Sequence, residues 1–370
     1  MNCRGRNIYI DSLRGVSILM IMFLHAFAFV DSHDFGREIT IALSRLNLGV
    51  PFFFVISGFV ISLNHDVSLK NKTGLTRYAI SRAAKIIPLY YIFLCLTYFF
   101  IRYVSSLDLP LAIPKNTANF ADIKISSYVA HAFFLQGFNS SELNTLLDGD
   151  WSLVNEVYFY VLFPFMAMWA KDSVQTCFLI LILSYLISIF LAIYWIRIRD
   201  ISGGHIYYTF PVHLSEFVLG MTAYRLLQKE RVKVILSKYS TYLVGLISVF
   251  MIGIVDISST LLGPHHLYSL CFALILMVFG ALDSRNFPSF FTPLATLGQQ
   301  SYALYLLHIL LLKVAYIVSV NFLELSNLNA ILLNIFLMLP LTFLLSHFVF
   351  HRLDEFFVNK SKLFLKGVKA

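Results

Sequence analysis

Apolar runs of about 20 residues, the length that carries a helix across hydrocarbon, recur along this chain with mostly short polar connections between them. Ten are recognised, at 8–30, 48–63, 88–104, 154–170, 176–196, 210–227, 239–257, 267–282, 301–320 and 330–350. They predict an all-α, polytopic integral membrane protein of about ten transmembrane helices with both ends on one side. Lys and Arg gather in the connections that share a side with the N-terminus, and cytoplasmic connections are the ones enriched in these residues. Both termini are therefore expected in the cytoplasm, around a single membrane-embedded domain over 1–355 and a short basic tail over 356–370. The connection 105–150 breaks the pattern, because its interior segment 123–138 is apolar yet too short to span. It is read as interfacial or re-entrant, serving either as a lid or as a packed loop.

Composition narrows the class further. Of 370 residues 58% are hydrophobic and 13% charged, and the mean hydropathy of +0.76 is too high for a soluble domain. The net charge of +8 resides in short connections between apolar spans, so it marks orientation, and no nucleic-acid partner is expected. Cys3, Cys95, Cys177 and Cys271 show no paired spacing, and neither a disulfide framework nor a metal site is expected. Arg4 and Arg6 before a short apolar core, with Ala26-Phe27-Ala28 behind it, also fit a secretory signal. An uncleaved span is preferred, because Arg14 and His25 interrupt the core.

Those two residues are the first chemical signal. Ionisable side chains at membrane depth are costly and mark reaction or transport paths. Eleven positions apart, Arg14 and His25 are separated by about 16 Å along a helix and point in nearly the same direction. Ser57-Gly58 sits in an aromatic-rich segment, where close helix packing is the simplest reading and a slender ligand the alternative. Arg82 and Lys85, three apart, share a helix face; a topogenic cluster accounts for them alone, whereas beside Arg14 they form a clamp for a phosphorylated ligand such as the nucleotide end of coenzyme A. Trp151-Ser152-Leu153 leads into Glu156 and Tyr160, and a carboxylate at that depth is a natural partner for His25, fixing its tautomer for general-base work; an ion pair or a structural carboxylate satisfied by water is the alternative. His308 lies inside the ninth run and is also readable as a core histidine. Asp256, His265, His266 and Glu324, near span ends, are expected to be wet, and Lys313 to be a buried counter-ion.

Five segments, in order and from end to end, are similar to the membrane-bound acyltransferase 3 family: Asp11-Ser12-Leu13-Arg14-Gly15 with His25, Phe53 to Phe59, Arg82 to Tyr90, Trp151-Ser152-Leu153 with Glu156, Phe159 and Tyr160, and Ser301-Tyr302 to His308. Lys85 departs from the family's Arg-x-x-Arg pair; it keeps the charge but loses the bidentate fork. The resemblance implies an O-acyltransferase of the bacterial inner membrane that passes an acyl group, most often acetyl, from acetyl-CoA or another acyl-CoA to a hydroxyl of a surface polysaccharide or lipid-linked glycan. On that reading His25 and Glu156 are catalytic, Arg14, Arg82 and Lys85 bind the donor, and Ser57, Trp151, Tyr160 and His308 face substrate. Membrane lipid, acyl-CoA and the glycan acceptor are the partners implied. Buried Arg, His and Glu among ten helices also suit a proton-coupled transporter or flippase, although no inverted repeat is visible. A non-catalytic subunit of a glycan-assembly complex is a third reading.

Overall fold

The structure is a computed structural model that describes residues 7–28, 37–65, 69, 72–106, 124–138, 142–143, 145–146, 149–171, 173–198, 206–253, 263–283 and 287–367. Among these residues the secondary structure is helical, with no strand. In chain order the helices are α1 Ile8–Ala28, α2 Arg37–Ser44, α3 Gly49–His65, α4 Lys72–Ser106, α5 Ile125–Ala132, α6 Trp151–Ala170, α7 Val174–Ile198 and α8 Phe210–Leu227. They continue with α9 Glu230–Lys238, α10 Ser240–Gly253, α11 Gly263–Ala281, α12 Thr292–Gln299, α13 Ser301–Asn321, α14 Asn327–Leu333, α15 Leu339–Val349 and α16 Glu355–Gly367.

Over the described residues, each of the ten predicted runs overlaps helical structure. Seven helical stretches are long and apolar enough to cross a membrane, or eight if the pair α9 and α10, bent by 80°, counts as one span. The difference from ten has a physical origin. The 18 residues of α8 include His213, Glu216 and Arg225, all buried, and the apolar part of α11, His265–Ala281, is short. The buried ionisable side chains of α8 face protein and not lipid. The stretch Asn327–Leu365 is continuous over 39 residues, with π turns at Asn334–Met338 and Phe350–Asp354 joining α14, α15 and α16. The described part of the basic tail is therefore helical.

The chain groups into two compact units. The first comprises Met1–Ser17, Leu48–Leu75 and Asn155–Gln299; the second comprises Ile18–Asn47, Thr76–Val154 and Gln300–Ala370. In the first unit α3 and α8 touch backbone to backbone. A Cβ on Gly58 would lie 1.9 Å from the Phe217 carbonyl oxygen, and one on Gly220 would lie 2.0 Å from that of Val55. Ser57-Gly58 thus serves helix packing, as small residues at a membrane helix crossing do. Phe159 stacks on Phe217 at 4.3 Å, and Phe52 on Phe272 at 4.4 Å.

In the second unit α4 runs unbroken through Arg77, Arg82, Lys85 and Pro88, and at 35 residues it measures about 52 Å, longer than the hydrocarbon is thick. The segment 124–138 lies on it, with Tyr91 donating to the Ala132 carbonyl at 2.7 Å and Tyr90 to that of His131 at 3.3 Å. Its faces are inverted: Ser127, His131 and Gln136 are buried, whereas Ile125, Val129, Phe133 and Phe138 are exposed. An outward apolar face on a short helix suits the membrane interface.

Candidate active site

The second unit assembles a histidine pair. His25, in the last turn of α1, is half-buried, and His308, in α13, is fully buried. Nδ1 of His308 lies 3.0 Å from the Leu304 carbonyl oxygen one turn earlier, so it must donate there. In the neutral ring Nε2 is then the acceptor, and His25 donates to it from Nδ1 across 3.1 Å. The tautomers follow from the partners. With Nδ1 donating to His308, Nε2 of the neutral His25 ring carries the in-plane lone pair, the arrangement a general base or nucleophile requires.

A tight turn runs past this pair. Gly149 adopts φ 86°, a left-handed conformation that glycine tolerates without strain, and a Cβ there would lie 3.9 Å from Cε1 of His25 and 3.5 Å from the Tyr305 hydroxyl oxygen. Tyr305 donates to the Gly149 carbonyl, and its hydroxyl meets that of Ser152 at 2.7 Å. Asp150 anchors the turn from behind, with Oδ2 3.0 Å from Nε2 of His131 and 3.3 Å from the Gln136 amide. His131 also donates from Nδ1 to the Ser127 carbonyl at 2.7 Å. Burial pulls the His131 pKa down, but the charge and hydrogen bond of Asp150, helped by the Ser127 carbonyl, outweigh it and raise the value above that of a free histidine. On the far side of His25, the Asn334 amide at the first π turn donates to the Ala26 carbonyl at 2.9 Å; π turns inside helices frequently occur at functional sites.

The first unit holds Arg14, Ser57, Glu156 and Tyr160. Glu156, 7% exposed, accepts from the Ser57 hydroxyl at 2.9 Å and from the Tyr160 hydroxyl, both on Oε1. Sequence reasoning offers His25 as its partner; two hydroxyls are the partners found within its own unit. Arg14 lies with its guanidinium 5.5 Å from the centre of the Phe53 ring, a cation–π contact that leaves its fork of donors usable.

Of the cations on α4, Arg82 is half-buried and directs Nε toward the Ser81 hydroxyl at 3.4 Å. Lys85 pairs with the buried Asp354 and sits 5.7 Å from the centres of both the Tyr302 and Phe350 rings. Its ammonium is thus committed within the protein, a role the basic pair Arg82/Lys85 did not suggest. Trp151 is buried at the start of α6. Lys313 is buried as expected, and Glu324 is exposed. His266 is not wet: it is 7% exposed, and His265 is half-buried beside it. Both rings turn into the first unit, toward Glu216. Asp256 lies outside the described residues.

Tyr305, His131, Asp150 and Asn334 escaped the sequence reading. Tyr305 carries a local signal, because it lies three residues before His308 and hence on the same helix face. His131 and Asp150 are joined only by the fold.

A family model for an acyltransferase domain, the acyltransferase 3 type, matches residues 7–349. No curated protein and no solved structure matches the chain. The match covers nearly the whole chain, including every residue of the histidine pair and its surroundings, and the chain belongs to this family of membrane acyltransferases.

Proposed function

We propose that this membrane acyltransferase carries an acyl group, acetyl in the simplest case, from acyl-CoA to a hydroxyl of a surface polysaccharide or lipid-linked glycan, such as O-antigen, capsule or exopolysaccharide. The proposed setting is a bacterial inner membrane with both termini cytoplasmic, and residues 1–355 acting as one catalytic domain. The observation that carries the reading is the oriented pair His25–His308, which leaves Nε2 of His25 bearing a lone pair. That nitrogen removes the acceptor hydroxyl proton as the oxygen attacks the thioester carbonyl. The C–O bond forms, the C–S bond breaks, and the imidazolium returns the proton to the departing CoA sulfur. His308 accepts the Nδ1–H hydrogen bond throughout and stabilises the imidazolium. In a two-step variant, Nε2 attacks the thioester itself: the C–N bond forms and the C–S bond breaks, releasing CoA thiolate. The acceptor oxygen then attacks the acyl-imidazole, the C–O bond forms, the C–N bond breaks, and the hydroxyl proton passes to the freed Nε2 and on to the thiolate or solvent.

Arg14 and Arg82 are the proposed donor-phosphate ligands, being the forked cations. Lys85 takes part only by giving up Asp354. Glu156, held by Ser57 and Tyr160, is the proposed acidic member of the catalytic set, and Trp151 is proposed to face the acceptor. The test uses purified full-length protein and acyl-labelled CoA. Release of CoA that depends on added envelope glycan supports the reading; its absence with every acyl-CoA and glycan offered overturns it. Label retained on His25 without acceptor selects the two-step route, and unlabelled protein selects direct transfer.

A further inference from the structure

The first unit buries a group of ionisable side chains that the proposed reaction does not use. Glu216 on α8 is fully buried, and His265 and His266 at the start of α11 turn toward it. One ligand atom from each of the three lies within 4.8 Å of both others. Nε2 of His265 and Nδ1 of His266 are buried and meet no hydrogen-bond partner among the described residues. Two unpartnered imidazole nitrogens beside a carboxylate are expensive to desolvate, and a cation between them would satisfy all three at once.

The carboxylate is also held in place for such a role. His213 sits behind it, with Nδ1 2.8 Å from Oε2 of Glu216 and Nε2 donating to the Tyr207 carbonyl at 2.6 Å. The other oxygen, Oε1, receives a long contact of 3.4 Å from the Ser269 hydroxyl, the one hydrogen bond to it found among the described residues, so it retains lone pairs toward the histidines. A histidine hydrogen-bonded to a ligating carboxylate is the outer support that metal sites commonly carry.

We propose that Glu216, His265 and His266 bind a divalent transition-metal ion of the zinc type. Two imidazoles and one carboxylate match the borderline donor preference of Zn²⁺, and three protein ligands leave a fourth position for water or another oxygen donor. Bonds of about 2.0–2.1 Å place tetrahedral donors about 3.3 Å apart. Side-chain rotations of an ångström or so close the present spacing to that value. The site stands independently of acyl transfer.

The test takes full-length protein in detergent, strips it with a chelator, equilibrates it with Zn²⁺ or Co²⁺ and removes unbound ion by gel filtration. Wild type is expected to retain about one equivalent more metal than the His265→Ala/His266→Ala double variant, and Co²⁺ to give the intense visible bands of a tetrahedral site. Comparison with the double variant removes any contribution from other histidines. Should that variant elute as aggregate, His266→Asn is read in the same way. Equal metal content in wild type and a folded variant, or Co²⁺ bands unchanged by the substitutions, would overturn the proposal.

Discussion

Two histidines of the second unit, His25 and His131, contrast in what their nitrogens do. On His131 both face oxygen: Nδ1 donates to the Ser127 carbonyl, and Nε2 lies 3.0 Å from Oδ2 of Asp150 as an ion-pair contact. On His25 Nδ1 faces a ring nitrogen instead, donating to Nε2 of His308, and the lone pair of the neutral ring falls on Nε2. One ring is a fastener, tying 124–138 to the turn at Gly149; the other is the one proposed to move a proton or carry an acyl group. Chemical competence here follows from which nitrogens are occupied. The fastener is also relevant to the reactive ring, because the turn it holds passes beside Cε1 of His25.

Substitutions separate the two roles. His25→Ala is expected to have the largest effect, a loss of acyl transfer of about 100- to 10,000-fold, the contribution of a positioned base, with expression and gel-filtration behaviour unchanged; residual activity near wild type would break the contrast. His308→Ala leaves the base but not its orientation, so kcat for acyl transfer is expected to fall by about 10- to 100-fold while KM for acyl-CoA stays within about twofold. Asp150→Asn belongs to the other side of the comparison. Leaving His131 without its counter-charge costs about 3–5 kcal/mol of stability, read as a lower midpoint in thermal unfolding, and any fall in activity should recover on cooling.

The smallest effect expected is a dependence on pH. Because the folded pKa of His131 is raised above its unfolded value, the pair's contribution is fully present below the unfolded pKa. It is lost as pH rises through the folded one. Amide hydrogen exchange across 124–138, corrected for its intrinsic pH dependence, should accelerate above that range in wild type. In Asp150→Asn the pH dependence should disappear; an unchanged profile would remove His131 from the role assigned to it.

Much of this was legible along the chain. Arg14 and His25, buried in one apolar run, flagged α1, and Trp151-Ser152 and Ser301 to His308 flagged two further elements of the second unit. Glu156 was visible as a carboxylate at depth, but its hydroxyl partners were not: Tyr160 is one turn away, whereas Ser57 is 99 residues distant. The segment 123–138 showed its apolar character and insufficient length; that its apolar face points outward emerged only once His131 and Gln136 were seen to be buried. His265 and His266 misled, because their position near a span end hides the fact that the rings turn inward.

The sequence by itself determined the helical class, the membrane setting, the family and the identity of His25 as the residue to watch, because these depend on hydropathy and on spacing within one helix, where geometry is set by 3.6 residues per turn. Only the tertiary structure decided who meets whom: His308 on His25 across 283 residues, Asp354 on Lys85 across 269, and Glu216 beside His265 and His266. Such pairings depend on the register and rotation of one helix against another. Close approaches such as that of Gly58 to the Phe217 carbonyl set that register, and packing of this kind leaves no periodic trace in a single chain.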